Sequence, residues 1–597
     1  MDKYPSIKDK DFYTKISEIY KRFEIPKRKK SFKEICFPKK YELQLPQKFM
    51  ENFINPNTPY KGILVYHRIG AGKTCTGIRI AETWKKIKKI IVVLPASLKG
   101  NFRNELRTLC ADNNYLKADE RERLKKLTPH DTEYKKIMEK SNARIDEYYK
   151  IYSYNKFIEL AQENKINLKN SILIIDEVQN MVSEGGTFYK QLYDLIHKAP
   201  KDLRVVLLSA TPMFDKPNEI ALTMNLLRLE NEMPTGKEFN KMFISTKKRH
   251  GELEFKTKNM SLFKKYLKGY VSFFRGAPAY VYPKLIIRYV NCVMSDFQYK
   301  AYKDVLEREK EKFIQRNKIK NKKVHKRKNY LNDYNLTVKN LPNNFFIGTR
   351  IVSNVVFPNR IIGENGLESF KGSKITKDLE MYSTKFYKII NKVMRSYGKI
   401  FIYSGFTEFG GIKSLCRVLD TFGFSDYMKT GSGKKRYAVW SGNETQQEKD
   451  EIRSVYNNPN NLLGQKIKIF IGSSAAKEGL SLTAVRQVHI LEPYWNQARL
   501  EQVIGRASRF CSHKDVDEEK RVCKVYIYIA VFPEDRPEAE KKIYKESVDQ
   551  HIHHLAEQKN KLIKEFEKAI IEASIDCELN KNSTVAEGDD EDIVCEK

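Results

Sequence analysis

The sequence predicts an α/β protein built from two tandem, doubly wound parallel sheets. Three observations carry that reading. Short aliphatic runs alternate with helix-like segments, the alternation occurs in two separate stretches, and 41% of the 597 residues are apolar, enough for two sizeable cores. GILVYH (62–67), KIIVVLP (89–95), SILIIDE (171–177) and RVVLLSAT (204–211) each read as a strand buried on both faces, because their apolar residues are continuous rather than alternating. KIFIYSGF (399–406), YAVWSG (437–442), KIKIFIGSS (466–474), RQVHILE (486–492) and CKVYIYIAV (523–531) repeat the pattern.

These runs place one sheet domain at 41–285 and a second at 376–535. A basic N-terminal extension occupies 1–40. The stretch 286–375 is polar, helix-prone and very basic, and reads as a linker or insertion. In the tail, 536–597, apolar residues at helical spacing over 549–575 predict an amphipathic helix. The acidic end EGDDEDIVCEK is expected to lack fixed structure.

Composition narrows the class. No run of about 18 apolar residues predicts a membrane span, and the charged start lacks a signal-peptide core. Nine cysteines without a C-x-x-C pair are expected to be reduced thiols. His551, His553 and His554 lack a second group of metal ligands nearby. Net charge is +35, from 110 Lys and Arg against 75 Asp and Glu, which favours a polyanionic partner such as nucleic acid. The charge is concentrated in places: Lys27 to Lys30 is one run, and Arg308 to Lys328 holds eleven basic and two acidic residues.

Chemistry enters at YHRIGAGKTCTG (66–77). In the phosphate-binding pattern G-x-x-x-x-G-K-[ST] the first glycine would fall at His67, whereas Gly72-Lys73-Thr74 are intact and Gly70 adds a second flexible point. Glycines let backbone N–H groups approach phosphates, Lys73 supplies charge, and the Thr74 hydroxyl suits Mg²⁺. The loop joins a strand to a helix, whose N-terminus also favours an anion. At the end of SILIIDE, Asp176 is placed to hold Mg²⁺ and Glu177 to orient and deprotonate a water. QVIGRASR (502–509) offers Gln502, Arg506 and Arg509 on a helix of the second sheet domain. Such arginines suit stabilisation of γ-phosphate charge across a cleft.

GAGKT, DEVQ, SATP and QVIGRASR, in this order across two sheet domains, resemble motifs I, II, III and VI of superfamily-2 helicases. Motif I of that superfamily often lacks the first glycine, so His67 is a family variant and not damage. SATPMFDKPNEIALTMNLLR, IIRYVNCVMSDFQYKAY and HILEPYWNQARLEQVIGRASRFCSH narrow the resemblance to helicase-type ATPases of large DNA viruses. Poxvirus nucleoside triphosphate phosphohydrolase I and the early transcription factor small subunit are its closest types, and the match covers about 41–535.

The resemblance implies two RecA-like domains and an ATP–Mg²⁺ site made of Gly70, Ala71, Gly72, Lys73, Thr74, Asp176 and Glu177. It places Gln47 as an adenine-reading glutamine and Gly479 in motif V. It also assigns nucleic-acid contacts to Pro95 and Ser97 of motif Ia, Ser404 of motif IV and Ser473 of motif V. Gln179 departs from the histidine of DEAH-like relatives, leaving open how phosphate release couples to motif VI.

The expected activity is a nucleic-acid-dependent ATPase, helicase or translocase, acting in viral transcription with DNA favoured and RNA allowed. Viral RNA polymerase or other transcription factors are the expected protein partners, and the virion and host cytoplasm the expected location. A non-catalytic DNA-binding factor with a helicase-like core is the alternative, disfavoured because the lysine, both acids and both arginines are present. An ATP-dependent protein remodeller is disfavoured by the charge.

Overall fold

The computed structural model describes residues 4–27, 30–128, 131–183, 186–249, 252–322, 346–477, 480–584 and 593–597. The chain forms two compact units, Met1–Val281 with Lys559–Lys597, and Tyr282–Gln558.

In the first unit, β1 (Gly62–His67), β2 (Lys89–Leu94), β3 (Tyr149–Ser153), β4 (Ser171–Asp176), β5 (Arg204–Ser209) and β8 (Val271–Phe274) form a parallel sheet ordered β3-β2-β4-β5-β1-β8. β6 (Ile244–Arg249) and β7 (Glu252–Thr257) form a separate antiparallel hairpin. β1 and β4 are buried along their whole length, as their unbroken aliphatic runs require. One core fills each face of the sheet: Leu64, Leu173, Leu207 and Phe273 point to one side, Ile63, Val65, Ile174 and Val206 to the other.

The second unit holds β9 (Lys284–Val293), β10 (Lys399–Tyr403), β11 (Ser425–Asp426), β12 (Arg436–Trp440), β13 (Ile469–Gly472), β14 (Val485–Ile490) and β15 (Val522–Val531), all parallel in the order β11-β12-β13-β10-β14-β15-β9. All nine runs read from sequence are strands here, and β3, β8, β9 and β11 join them in the two sheets.

Three expectations need correction. The stretch 286–375 is not an insertion apart from the fold. Residues 286–293 pair with β15 along the edge of the second sheet, and Phe346, Val352, Val356, Phe357, Leu367 and Phe370 lie in that unit's cores. The helix Asp296–Lys322 takes in the first part of the basic segment, and there Glu309 accepts the backbone N–H groups of Gly348 and Thr349 at 2.8 and 3.2 Å. Residues 323–328 of that segment fall outside the described residues.

The tail is integral as well. The helix Val548–Glu572 buries Val548 and Ile552 in the second unit and, beyond Lys559, Phe566, Ala569 and Ile570 in the first. At the acidic end, residues 585–592 lie outside the described residues, but Glu596 pairs with Lys264 at 2.9 Å and its N–H meets the Glu572 carbonyl at 2.9 Å. The cysteines are not all reduced. Cys75–Cys110 and Cys577–Cys595 are disulfides, their Cα atoms 5.8 and 5.7 Å apart, close enough for a bond that their sequence separations of 35 and 18 do not advertise. His551 and His554 face Glu546 at 3.2 and 3.0 Å.

Candidate nucleotide site and the arginine segment

β1, β2, β4 and β5 run parallel, so the loops that leave their C-terminal ends gather at one edge of the sheet, where open α/β sheets bind ligands. The loop after β1 turns at Gly70 (φ +83°) and Gly72 (φ +74°), both in the left-handed region that only glycine enters freely. His67 is the last residue of β1 and needs no such freedom, which is the physical reason a glycine is dispensable there. Gly72 caps the helix Lys73–Trp84, leaving that helix's first N–H groups beside the loop. A Cβ at Gly72 would stand 2.5 Å from Gln47 Nε2.

Gln47 is buried on the helix Leu45–Phe53. Its Nε2 donates to the Gly72 carbonyl at 3.3 Å and its Oε1 accepts the Gln44 N–H at 2.9 Å. In this state its amide braces the loop.

The charged centre is compact. Lys73 Nζ lies 2.7 Å from Glu177 Oε1 and 3.4 Å from Asp176 Oδ1. Burial pushes the Asp176 carboxyl up, Lys73 opposes that shift and the neighbouring Glu177 charge adds to it. For Lys73 burial is the largest single influence and opposes the charge, yet the two carboxylates together hold its ammonium above its ordinary value.

Glu177 sits at φ +52°, a left-handed conformation uncommon outside glycine, and its N–H bonds Asp176 Oδ1 at 2.9 Å. The Tyr154 hydroxyl lies 2.5 and 2.8 Å from the Asp176 and Glu177 carbonyls and pins that turn. No sequence motif points to Tyr154. Gln179 Nε2 donates to Glu177 Oε2 at 2.6 Å and its Oε1 accepts from Ser209 Oγ at 2.7 Å, while Ser209 Oγ accepts the Thr211 N–H at 3.0 Å. Gln179 therefore joins the acids of motif II to the Ser-Ala-Thr turn, a link that the histidine comparison alone does not suggest. Asp176 and Glu177 carry adjoining carboxyl groups and Thr74 lies half-buried on the helix Lys73–Trp84; oxygen donors of this kind suit a hard cation such as Mg²⁺.

Within the second unit, Asn496 caps the helix Gln497–Ala507 by accepting the Arg499 N–H at 3.0 Å. Arg506 is buried on it, donating from Nε to the Gln502 carbonyl at 3.1 Å and from Nη1 to the Leu480 carbonyl at 3.3 Å. Arg509 bonds the Ser481 hydroxyl through Nη1. Both arginines thus brace the loop of motif V. Gly479 lies outside the described residues.

Of the predicted nucleic-acid contacts, Ser97 is exposed on the turn Ala96–Leu98, and Pro95 before it is buried. Ser404 and Ser473 are buried. The Ser404 hydroxyl donates to Glu492, and the Ser473 hydroxyl accepts the Ala475 N–H at 3.2 Å.

Two parallel-sheet units with a phosphate loop, paired acids and a braced arginine helix define a helicase-type ATPase. Comparison with known proteins agrees: the SNF2-related domain matches residues 27–342 and the helicase conserved C-terminal domain residues 384–511. A candidate ATP-dependent RNA helicase of Acanthamoeba polyphaga mimivirus is 49% identical over 595 residues, covering 100% of this chain and 99% of that protein. A candidate helicase of Invertebrate iridescent virus 3 is 28% identical, covering 90% of this chain and 54% of its own length. The African swine fever virus homologue of termination factor NPH-I is 25% identical, covering 88% and 77%. The chain belongs to the SNF2-related helicase family.

Proposed function

We propose that this chain hydrolyses ATP when engaged with nucleic acid, translocates along DNA, and serves transcription in a large DNA virus. The observation that carries the reading is the 2.7 Å contact of Lys73 with Glu177 beside Asp176, at a loop whose two glycines adopt positive φ. That arrangement holds a cation ready for phosphate and two carboxylates ready for a metal and a water. Mg²⁺, when bound, would neutralise phosphate charge, with Thr74 and Asp176 as the residues to hold it.

Lys73 would exchange its carboxylate partner for phosphate oxygens, releasing Glu177 to orient and deprotonate the attacking water. The N–H groups of residues 70–74 would bind the phosphates. Arg506 and Arg509 would add positive charge to the transferring phosphoryl group, and motion of the loop they brace would report turnover to the nucleic-acid surface. The net charge of +35 supports a polyanionic track gripped through its phosphates. The African swine fever virus relative is named a termination factor homologue, which supports the transcription reading, and the name of the mimivirus relative keeps RNA in view as a substrate.

The test is ATP turnover by the purified chain with no nucleic acid, single-stranded DNA, duplex DNA and RNA in turn. Stimulation by DNA above the other arms is expected. Absence of turnover in every arm would overturn the reading in favour of a non-catalytic factor.

A further inference from the structure

His67 is fully buried and sits in a row of polar contacts that begins in the C-terminal segment and ends at the phosphate loop. Asp576 accepts the Ser272 hydroxyl at 2.6 Å, the Phe273 N–H at 2.9 Å and Asn580 Nδ2 at 3.0 Å. Ser272 Oγ lies 3.0 Å from His67 Nε2, and His67 Nδ1 lies 3.4 Å from Thr76 Oγ1. Thr76 Oγ1 is 3.3 Å from the Gly72 carbonyl, the same oxygen that Gln47 braces.

The proton order follows from one proton per hydroxyl. Ser272 spends its proton on the Asp576 carboxylate, so its oxygen must accept from His67 Nε2–H. The neutral ring is then bare at Nδ1 and takes the single Thr76 proton, which turns that proton away from the Gly72 carbonyl and leaves the carbonyl to the Thr76 N–H and Gln47 Nε2. Burial, with the Lys73 charge adding, takes His67 down to about 3 and keeps the ring neutral. Burial also raises Asp576 to about 6, against the pull of its donors, so the carboxylate is charged at neutral pH.

Three more contacts tie the same C-terminal segment to the site. Glu567 accepts the Tyr66 hydroxyl at 2.8 Å and lies 3.5 Å from Arg68 Nη2, flanking His67 on both sides in sequence. Lys559 pairs at 2.8 Å with Asp215, just beyond the Ser-Ala-Thr turn.

We propose that His67 is a positioning residue for ATP turnover, and that through Ser272 and Asp576 the C-terminal segment 559–584 sets the conformation of the phosphate loop. The proposal rests on the reading of residues 70–74 as an ATP site.

Asp576→Asn is nearly isosteric yet reverses the row. The new amide nitrogen donates to Ser272, while Asn580 Nδ2 loses its acceptor there; Ser272 donates to His67 Nε2, and the ring must carry its proton on Nδ1, facing Thr76, whose own proton then turns to the Gly72 carbonyl. ¹⁵N-histidine NMR of the full chain, with the His67 signal assigned from His67→Gln, reads this tautomer directly. The expected result is Nε2–H in the wild type, Nδ1–H in Asp576→Asn, and a KM for ATP raised about tenfold with a smaller change in kcat, the order of one buried hydrogen bond. Combining His67→Gln with Asp576→Asn should raise KM no further than the worse single change, because both act through the placement of the one Thr76 proton.

Multiplied effects in the double variant, or a switched tautomer with unchanged KM and kcat, would overturn the positioning role. A wild-type chain that binds no ATP while showing the Nε2–H tautomer would locate the failure in the nucleotide reading, and positioning for turnover would fall with it.

Discussion

The two clusters of functional charge are built differently. At the edge of the first sheet Lys73 faces Asp176 and Glu177, and the row runs on through Gln179 to Ser209, so cation, acids and polar relay lie on neighbouring strand ends. In the second unit Arg506 and Arg509 hydrogen-bond the Leu480 carbonyl and the Ser481 hydroxyl, gripping the described part of a loop. The first cluster is a paired-charge site, one ammonium between two carboxyl groups, that a polyphosphate must open. The second is a mechanical brace whose arginines can act on charge only if the loop tolerates their motion. Substitutions in the first should therefore fall on binding and chemistry, and in the second on turnover together with loop order.

The largest effect separates the two members of the first cluster. Lys73→Ala should abolish hydrolysis and weaken ATP binding, because it removes the phosphate cation and leaves two adjacent acids without it. Glu177→Gln should retain binding, measured by fluorescent-nucleotide titration, while hydrolysis stops. Equal loss of binding in both would erase the division of roles.

Next come the arginines. Arg506→Ala and Arg509→Ala should each lower kcat by about 10³-fold or more, with KM for ATP much less affected, as for arginines that stabilise phosphoryl transfer. Arg506→Ala should also lower the melting temperature more than Arg509→Ala, because Arg506 is buried and Arg509 is only partly so. Wild-type turnover in either variant would reduce that residue to its bracing role.

The basic segment 308–328 gives a smaller effect outside both clusters. Reversing Lys320, Lys322, Lys323, Arg327 and Lys328 to glutamate should flatten the dependence of log K on log salt by about 0.9 for each duplex phosphate no longer neutralised. ATP affinity should hardly change. An unchanged slope would make the segment a solvated face.

The smallest effect concerns Lys399, which is buried at the start of β10. It donates to the Tyr456 carbonyl at 2.8 Å and to Thr483 Oγ1 at 3.3 Å, and burial lowers its pKa to about 7. Between pH 7 and its unfolded value of 10.5 the unfolded chain holds a proton that the folded chain has released, so stability rises with pH across that window. Lys399→Met should remove that rise, at most about 1.4 kcal/mol per pH unit, and stabilise the chain at pH 7. Parallel stability curves for the two chains from pH 7 to 9.5 would contradict the buried lysine's role.

The site is legible in sequence where chemistry forces residue type. A left-handed turn needs Gly70 and Gly72, and a buried parallel strand ending in acids reads plainly as SILIIDE. What stays hidden depends on partners remote in sequence. Tyr154 reaches the Asp176 turn from 22 residues away, and Asp576 reaches Ser272 across 304. β9 reads as linker because Arg288 and Asn291 interrupt its apolar residues and Leu285, Ile287 and Tyr289 stay exposed on a sheet edge, unlike the continuous buried runs of central strands. The segment 346–382 is hidden by short helices whose apolar residues make no long periodic pattern, although they fill the second unit's cores.

The most direct test sets ATP turnover of the wild-type chain, with and without duplex DNA, beside that of Arg509→Ala. The account predicts that DNA raises the wild-type rate and that the variant stays slow in both conditions while still binding ATP. A wild-type rate indifferent to DNA, or equal stimulation in the variant, would contradict it.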